Sequence, residues 1–256
     1  MENFSLISLY LQKVPQSFST VIASALWVML AQVTCRRIAL STRIGALDYL
    51  LGGGIEENSL TEFYSPDNGL LSLLCHRLAV LSAEKGKTLL LYIQEFGGLD
   101  PYLLKTMAER LSVSWNLVDS NLKVARAFKF EDTLELVNSA VKEDSEFLLV
   151  FDPYLHVEFR DLQSASRLTW LMKLPSSDRT VILFNKPIED RFSPLGGNYH
   201  AHSVHILVRL DPVGGRGTVK IRLVKHPSLP PTSALIKKRE LEGLEWEGQH
   251  LLSEWL

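Results

Sequence analysis

Two cations stand two residues apart in an apolar segment of this 256-residue chain, where they could contact a phosphate backbone. Residues 218–225 predict a β-strand, and alternation along a strand places Lys220 and Arg222 on one face. The whole chain has 27 lysines and arginines against 29 aspartates and glutamates, a formal net charge of −2. Because that balance supplies no global attraction for nucleic acid, contact with a polyanion requires a local basic patch of this kind.

The histidines and cysteines do not indicate metal chemistry. His200, His202 and His205 lie close together, but no cysteine or carboxylate stands at a zinc-ligand spacing from them, so we expect no metal site. Cys35 and Cys75 lie far apart with no CxxC spacing, which argues against a disulfide scaffold and is typical of a reducing compartment. We therefore expect an intracellular protein, in the cytoplasm or associated with the nucleoid, or nuclear if the source is eukaryotic.

The elements that must position such side chains alternate between short apolar runs and longer amphipathic segments. This alternation predicts an α/β fold with a mainly parallel central sheet flanked by helices. The predicted buried strands are residues 60–64, 88–94, 122–128, 147–151 and 180–184. The predicted helices are residues 70–85, 101–111, 131–142 and 161–174. The last two apolar runs, 204–210 and 218–225, are joined by a glycine-rich loop and predict a final antiparallel hairpin.

The chain divides into an N-terminal extension, residues 1–40, and one core domain with a C-terminal tail, residues 41–256. The extension contains an apolar run at residues 21–33, whose 13 residues fall short of the roughly 20 that a membrane-spanning helix needs. No basic stretch precedes the run, which argues against a signal peptide. We expect a packed helix or one that docks on a partner, with no membrane contact.

Three motifs resemble a known family. Residues 41–55, STRIGALDYLLGGGI, are similar to the start of the RecA/RadA/RadB recombinase core, where an S-T-G-x-x-x-L-D-x-L-L-G-G-G-I run leads into the first strand. Residues 124–128 resemble a strand of archaeal RadA, and residues 194–203 resemble the P-x-G-G-N-x-x-x-H motif after the second DNA-binding loop. The motifs stand in family order over residues 41–248. The resemblance implies a RecA-like core, and the lack of a preceding helix-hairpin-helix domain favours short RadB-like paralogs.

The resemblance places a phosphate-binding loop after the strand 60–64, and the residues there depart from its pattern. A Walker A loop reads G-x-x-x-x-G-K-[ST]; its amides cradle phosphates, its lysine reaches the β- and γ-phosphates and its hydroxyl binds Mg²⁺. The register puts Ser65 and Leu70 at the two glycines, Gly69 before the second, Leu71 at the lysine and Ser72 at the hydroxyl. Asp67 adds a carboxylate that repels a triphosphate. These remnants predict a loop without ATP or Mg²⁺, although the helix N-terminus leaves weak anion binding open.

Two more catalytic positions of the family fall at strand ends. Its Y-I-D-T-E-G run, whose glutamate activates the attacking water, corresponds to residues 92–97, so Phe96 replaces that glutamate. Glu95 is one residue out of register, which indicates a surface carboxylate. The Walker B run 148–152 keeps Asp152, which we expect to cap a following turn rather than hold a metal. The resemblance with these losses predicts a pseudo-ATPase, not an enzyme, with no nucleotide cofactor.

Two family loops line the filament axis and hold single-stranded DNA, and their counterparts here are residues 154–163 and 186–195. Both mix cations with aromatic side chains, which suits phosphate contact and base stacking. The candidate DNA-contacting residues are Tyr154, Arg160, Lys186, Arg191 and Phe192, with Gly196 and Gly197 of the following motif. Nearby acidic residues offset the charges and leave ordinary solvated loops as an alternative. The strand face with Lys220 and Arg222 is a different candidate edge.

A tether to a neighbouring subunit is the last feature that the resemblance implies. Family members bind neighbours through an F-x-x-A segment ahead of the core, and Phe18-Ser19-Thr20-Val21 is similar, with valine at the alanine position. The apolar stretch after it, which includes Trp27, favours burial against another surface. Phe18, Val21 and Trp27 are therefore the candidate partner-binding residues of a hetero- or homo-oligomer.

The expected function is that of a non-catalytic recombinase paralog, an accessory or regulatory factor in homologous recombination and DNA repair. Its expected partner is a recombinase or another RecA-like paralog, with single-stranded DNA as a second contact. The alternative is a structural subunit of a RecA-like ring, similar to the small Elongator subunits that act in tRNA modification, with no DNA role. The runs at residues 47–55 and 194–198 favour recombination.

Overall fold

The computed structural model describes residues 37–94, 98–158, 161–188, 192–214 and 217–244. The strands in these ranges are β1 Ile38–Leu40, β2 Ile55–Glu56, β3 Leu60–Tyr64, β4 Thr88–Ile93, β5 Leu122–Ala127, β6 Phe147–Phe151, β7 Thr180–Asn185, β8 Ile206–Val213, β9 Thr218–Lys225 and β10 Thr232–Lys237. The helices are α1 Gly45–Leu50, α2 Asn68–Lys85, α3 Pro101–Arg110, α4 Trp115–Asn121, α5 Phe130–Ala140, α6 Leu162–Lys173, α7 Gly197–Ser203 and α8 Lys238–Leu241, with a 3₁₀ turn at Leu174–Ser177.

One large sheet organises the fold. Its strand order is β10-β9-β8-β3-β7-β6-β4-β5, and the six strands from β8 to β5 run parallel to one another. At the other end, β9 lies antiparallel between β8 and β10. The short strands β1 and β2 form a separate antiparallel pair. The predicted α/β class, with a mainly parallel sheet and a terminal antiparallel part, is confirmed.

Helices cover both faces of the large sheet. Neighbouring residues of a strand point to opposite faces, so Phe63 joins the core under α2 and α3, whereas Tyr64 joins the core under α5 and α6. The parallel strands are buried on both sides, which explains their nearly continuous apolar sequences. The two cores hold the strand ends, and the loops that leave them, in fixed positions.

The predicted strands 60–64 and 147–151 have the observed bounds, and the other three central strands end within one residue of prediction. The first strand of the hairpin was predicted at residues 204–210 and is observed at Ile206–Val213, so it begins two residues later and ends three residues later. Its two leading residues instead follow α7, and Val204 N–H donates to His200 O at 3.0 Å. Six elements were not predicted because they are short or lack a clear period: β1, β2, β10, α1, α4 and α7.

None of the helices in the described ranges is both long enough and apolar enough to cross a bilayer. The apolar run at residues 21–33 lies outside these ranges, as do the candidate partner-binding residues Phe18, Val21 and Trp27. The predicted division of the chain after residue 40 stays a prediction.

Candidate nucleotide loop and nucleic-acid interface

Three loops meet at one edge of the sheet. β3, β7 and β6 are parallel neighbours, so the segments that follow them leave from the same edge. These segments begin at Ser65, Lys186 and Asp152, respectively, and include many of the residues singled out in the sequence. In open α/β sheets, ligands bind outside the carboxyl ends of the strands. This edge is therefore the candidate functional site.

The phosphate-loop position is occupied by a helix cap. α2 begins at Asn68, two residues before its predicted start, because Asp67 caps it. Oδ1 of Asp67 accepts hydrogen bonds from the backbone N–H groups of Gly69 at 2.8 Å and Leu70 at 3.2 Å. The side chains of Leu70 and Leu71 are buried in the core, as expected for apolar residues at a glycine and a lysine position. The backbone N–H groups in the first turn of α2 are thus already hydrogen-bonded to the carboxylate of Asp67.

The two serines of the loop make internal contacts. Ser65 N–H donates to Asn185 O at 3.1 Å, and its hydroxyl accepts from Asp67 N–H at 3.1 Å. Ser72 lies one turn into α2, where its carbonyl accepts from Nδ1 of His76 at 2.7 Å. Nε2 of His76 accepts from Asp100 N–H at 3.0 Å, and burial lowers the pKa of this imidazole. These bonds fix the loop against its neighbours.

Asp152 does not cap a turn with its side chain, and that prediction is wrong. The turn after β6 is closed by main chain, since Leu155 N–H donates to Asp152 O at 3.1 Å. The carboxylate Oδ2 instead lies 2.6 Å from Lys186 Nζ. Asp152 has a left-handed φ of 54°, and burial raises the pKa of its carboxyl although Lys186 lowers it. Lys186, a predicted DNA contact, therefore already neutralises a buried acid.

The second loop and the hairpin, which sequence analysis treated as alternative basic edges, form one surface. The guanidinium carbons of Arg209 and Arg222 lie 4.3 Å and 5.0 Å from the centre of the Phe192 ring, which is 46% exposed. Asp211 holds both cations, at 2.8 Å from Arg209 Nε and 3.0 Å from Arg222 Nη2. Lys220 lies opposite Asp211 in the backbone register of β8 and β9, on the same half-buried face. We call Phe192, Arg209, Lys220 and Arg222 the cationic surface.

Arg209 was missed by sequence analysis. A signal was present, because it is a lone cation between Val208 and Leu210 in an apolar strand. A long cation at such a position either is paired or reaches a ligand at the strand face. Here it packs on an aromatic ring, and guanidinium–aromatic contacts of this kind stabilise by about 0.5–1 kcal/mol at exposed sites.

The loop that presents Phe192 is braced at both ends. Pro187 and Pro194 form a β-bridge, and Leu195 N–H donates to Lys186 O at 2.8 Å. The Phe192 carbonyl accepts from the Tyr64 hydroxyl at 2.8 Å. Burial raises the pKa of Tyr64 to about 12, so the hydroxyl stays a donor at neutral pH. The sequence predicted the loop but not these tertiary ties.

Tyr154 belongs to a buried polar chain and is not exposed for base stacking, which corrects its predicted role. Its hydroxyl lies 2.6 Å from Thr169 Oγ1 and 2.7 Å from His200 Nδ1. His200 Nε2 bonds to Glu62 Oε2 at 2.8 Å, and Glu62 Oε1 accepts from Asn185 Nδ2 at 2.5 Å. This series of hydrogen bonds joins β3 and β7 to α6 and α7. It was not predicted because its residues are far apart in the sequence.

The two glycines after the loop have different environments. A Cβ on Gly196 would lie 2.7 Å from Tyr154 Cζ and 2.8 Å from His200 Cβ, at a left-handed φ of 100°. A Cβ on Gly197, at φ 77°, would have 3.9 Å to Leu162 Cδ2 as its closest contact. Close packing therefore accounts for Gly196 in the structure, without a DNA contact.

Several predicted positions lie outside the described residues. They are the DNA-contact candidates Arg160 and Arg191 and the catalytic-run residues Glu95 and Phe96. Within the ranges that the structure describes, no group of three or more histidines, cysteines, aspartates or glutamates is arranged to hold a metal ion.

The mainly parallel sheet, the helices on both faces and the loop between β3 and α2 define a RecA-like α/β core. Comparison with known proteins refines this class. A family model described as Rad51 matches residues 34–164. The chain belongs to the Rad51 family of RecA-like recombinases, which confirms the resemblance found in the sequence.

The relatives include eukaryotic and archaeal proteins. The chain is 29% identical over 231 residues to the DNA repair protein RAD51 of Mycosarcoma maydis, covering 77% of this chain and 67% of that protein. It is 30% identical over 228 residues to the DNA repair protein rhp51 of Schizosaccharomyces pombe, covering 77% and 62%. It is 30% identical over 210 residues to the DNA repair and recombination protein RadB of Halobacterium salinarum, covering 75% and 88%. The chain thus spans more of the RadB length than of the fungal proteins.

Proposed function

We propose that this chain is a non-catalytic member of its family, an accessory or regulatory factor in recombination and repair that works without ATP. The observation that carries the proposal is the bond of Asp67 to the backbone N–H groups of Gly69 and Leu70. A phosphate-binding loop uses amides at this place for the nucleotide. A phosphate would have to displace a carboxylate of like charge that is already hydrogen-bonded there.

Two further features support the proposal. Leu71, at the position of the phosphate-binding lysine, is buried and supplies no charge. Lys186 Nζ lies 2.6 Å from Asp152, the carboxylate that would organise Mg²⁺ in a P-loop enzyme. An ammonium group of the chain thus neutralises the acid that a nucleotide-bound metal would need.

Isothermal titration of the protein with Mg-ATP tests this proposal. We expect no heat of binding and no phosphate release. Micromolar binding, with turnover that an Asp152→Asn substitution abolishes, would contradict it. Thermal unfolding of the variant provides the control that any lost activity is not lost structure.

We further propose that the cationic surface contacts single-stranded DNA. An exposed ring flanked by guanidinium groups suits base stacking combined with phosphate contact. The names of the similar proteins, which refer to DNA repair and recombination, support this reading over the ring-subunit alternative. The proposed contacts are Phe192, Lys220 and Arg222, the last of which also pairs with Asp211. Tyr154 is buried, and Lys186 neutralises the buried Asp152.

The proposed protein partner is a recombinase or another RecA-like paralog. Affinity purification of the chain from its native source, followed by mass spectrometry, tests this. Recovery of a recombinase supports the proposal. Recovery of only a ring of small RecA-like subunits would support the structural alternative and contradict a role in recombination.

A further inference from the structure

A cleft of about 690 Å³ opens between the segment that follows β6 and the start of α7. Its wall includes the buried Asp152, the acidic residues Glu158 and Asp161, and the apolar side chains of Leu162 and Tyr199. We call it the acidic cleft. A volume of this size is in the range of sites that hold a ligand or the anchoring side chains of a partner.

The floor of the acidic cleft contains a polar atom without a partner. Asp152 is only 2% exposed, and its Oδ2 faces Lys186. Its Oδ1 is buried and accepts no hydrogen bond from any residue in the described part of the chain. A buried carboxylate oxygen without a donor is unfavourable, so this atom is complementary to a cation or an N–H group that enters the cleft. The left-handed φ of 54° at Asp152 is a local strain of the kind that accompanies binding sites.

The described residues at the rim of the cleft carry negative charge. Glu158 and Asp161 are exposed at its mouth. Asp161 Oδ1 accepts from Ser164 N–H at 3.0 Å, and the contact with Ser164 holds the pKa of this carboxyl below its usual value. Among the described residues that line the cleft, the carboxylates of Asp152, Glu158 and Asp161 outnumber the one ammonium, that of Lys186. This balance repels a nucleic-acid backbone and attracts a basic ligand.

The cleft also has unusually exposed apolar walls. Leu162 opens α6 and is 67% exposed, and Tyr199 in α7 is 47% exposed. Exposed apolar side chains that flank a cleft with polar groups at its floor are typical of protein-binding surfaces. The chemistry thus combines negative charge, one unpartnered acceptor and apolar contact area.

We propose that the acidic cleft binds a basic peptide segment of the protein partner, with an arginine or lysine directed at Asp152 Oδ1 and apolar side chains against Leu162 and Tyr199. Arginine anchors in desolvated pockets commonly dominate the energy of such interfaces. The inference rests on the proposed function in that it takes the partner to be a protein, and it names the contact. It separates partner binding in the cleft from DNA binding on the cationic surface.

Fluorescence anisotropy with a labelled peptide of alternating leucine and arginine tests the inference, using the full chain. We expect saturable binding to the wild-type protein and none of the leucine–glutamate counterpart. Leu162→Ser and Glu158→Gln should each weaken the peptide about tenfold, the loss that corresponds to one good contact. The matched controls are Leu235→Ser, at a leucine that is 62% exposed in β10, and Glu57→Gln, at another exposed acid. Both controls should bind as the wild type does.

Asp152→Asn should also weaken the peptide, and its thermal unfolding shows whether the fold is retained. The inference is overturned if no saturable binding occurs, or if the cleft variants and the controls bind equally. It is also overturned if Leu162→Ser weakens a labelled oligo(dT) strand but not the peptide, because the cleft would then hold DNA. None of these results depends on the Mg-ATP titration, so failure here is distinguishable from failure of the proposed function.

Discussion

Asp67 determines both where α2 begins and what its first amides can bind. The sequence showed the residue as a misplaced charge in a phosphate-binding loop, but not as a helix cap. Its side chain reaches two backbone N–H groups because the residue adopts an extended conformation directly before the helix. The same carboxylate therefore stabilises the start of α2 and takes up the backbone N–H groups of Gly69 and Leu70.

Asp67→Ala should lower the free energy of unfolding by about 1 kcal/mol, because two amides lose their acceptor. Asp67→Asn keeps an acceptor oxygen and should change it little. Urea unfolding followed by circular dichroism measures both. Equal stability of wild type and the alanine variant would contradict the capping role.

Gly196 and Gly197 adjoin each other in the recombinase-like motif but tolerate a side chain differently. Both have a left-handed φ, so a substitution at either carries backbone strain of about 1–2 kcal/mol. Only at Gly196 does the added carbon collide with a buried ring, that of Tyr154. The motif could be recognised in the sequence, but the reason for its first glycine depends on the tertiary contact.

Gly196→Ala should therefore destabilise the protein by about 1–3 kcal/mol more than Gly197→Ala, the cost of overpacking a core. Chemical unfolding of the two variants side by side isolates this difference, since backbone strain is common to both. A loss at Gly197 equal to or larger than that at Gly196 would show that the packing around Tyr154 is not as described.

The second loop presents Phe192 at a defined position because Arg209 of β8 and Arg222 of β9 pack against its ring. The bridge between Pro187 and Pro194 brings the two ends of the loop together. The Tyr64 hydroxyl, which donates to the Phe192 carbonyl, holds Phe192 beside the cations of β8 and β9. In the sequence the loop and the hairpin are separate candidates, because no pattern there shows that β8 pairs with β3. Because β3 pairs with both β7 and β8, the loop after β7 and the hairpin that begins with β8 lie on one surface.

If this surface binds DNA, Arg222→Gln should weaken binding to oligo(dT) and reduce the salt dependence by about one phosphate contact. Phe192→Ala should weaken binding by about 1–3 kcal/mol through lost stacking, with little change in salt dependence. Titrations at several salt concentrations separate the two effects. Arg239→Gln, at an exposed cation outside this surface, is the matched control. The same loss in the control and in Arg222→Gln would contradict a localised site.

For the whole molecule, the central strands and their helices could be predicted because buried parallel strands have continuous apolar sequences and the helices between them are amphipathic. The order of strands in the sheet was not predicted, because strand pairing joins segments that are far apart in the sequence. The short elements were not predictable, since α7, for example, has seven residues and is held by packing around His200.

The candidate site was predictable only in part, for the same physical reason. Losses at single positions, such as Leu71 for a lysine, are visible in the sequence. Compensations between distant positions are not, because Lys186 reaches Asp152, and Arg209 reaches Phe192, only in the folded chain. These contacts hold the loops that follow β6 and β7 against each other and against β8.

The most direct measurement is the affinity of the protein for labelled oligo(dT), by fluorescence anisotropy, with and without Mg-ATP. A family member whose loop amides are occupied by Asp67 should bind DNA with the same affinity in both conditions. Binding that requires Mg-ATP, or that strengthens when it is added, would contradict the account.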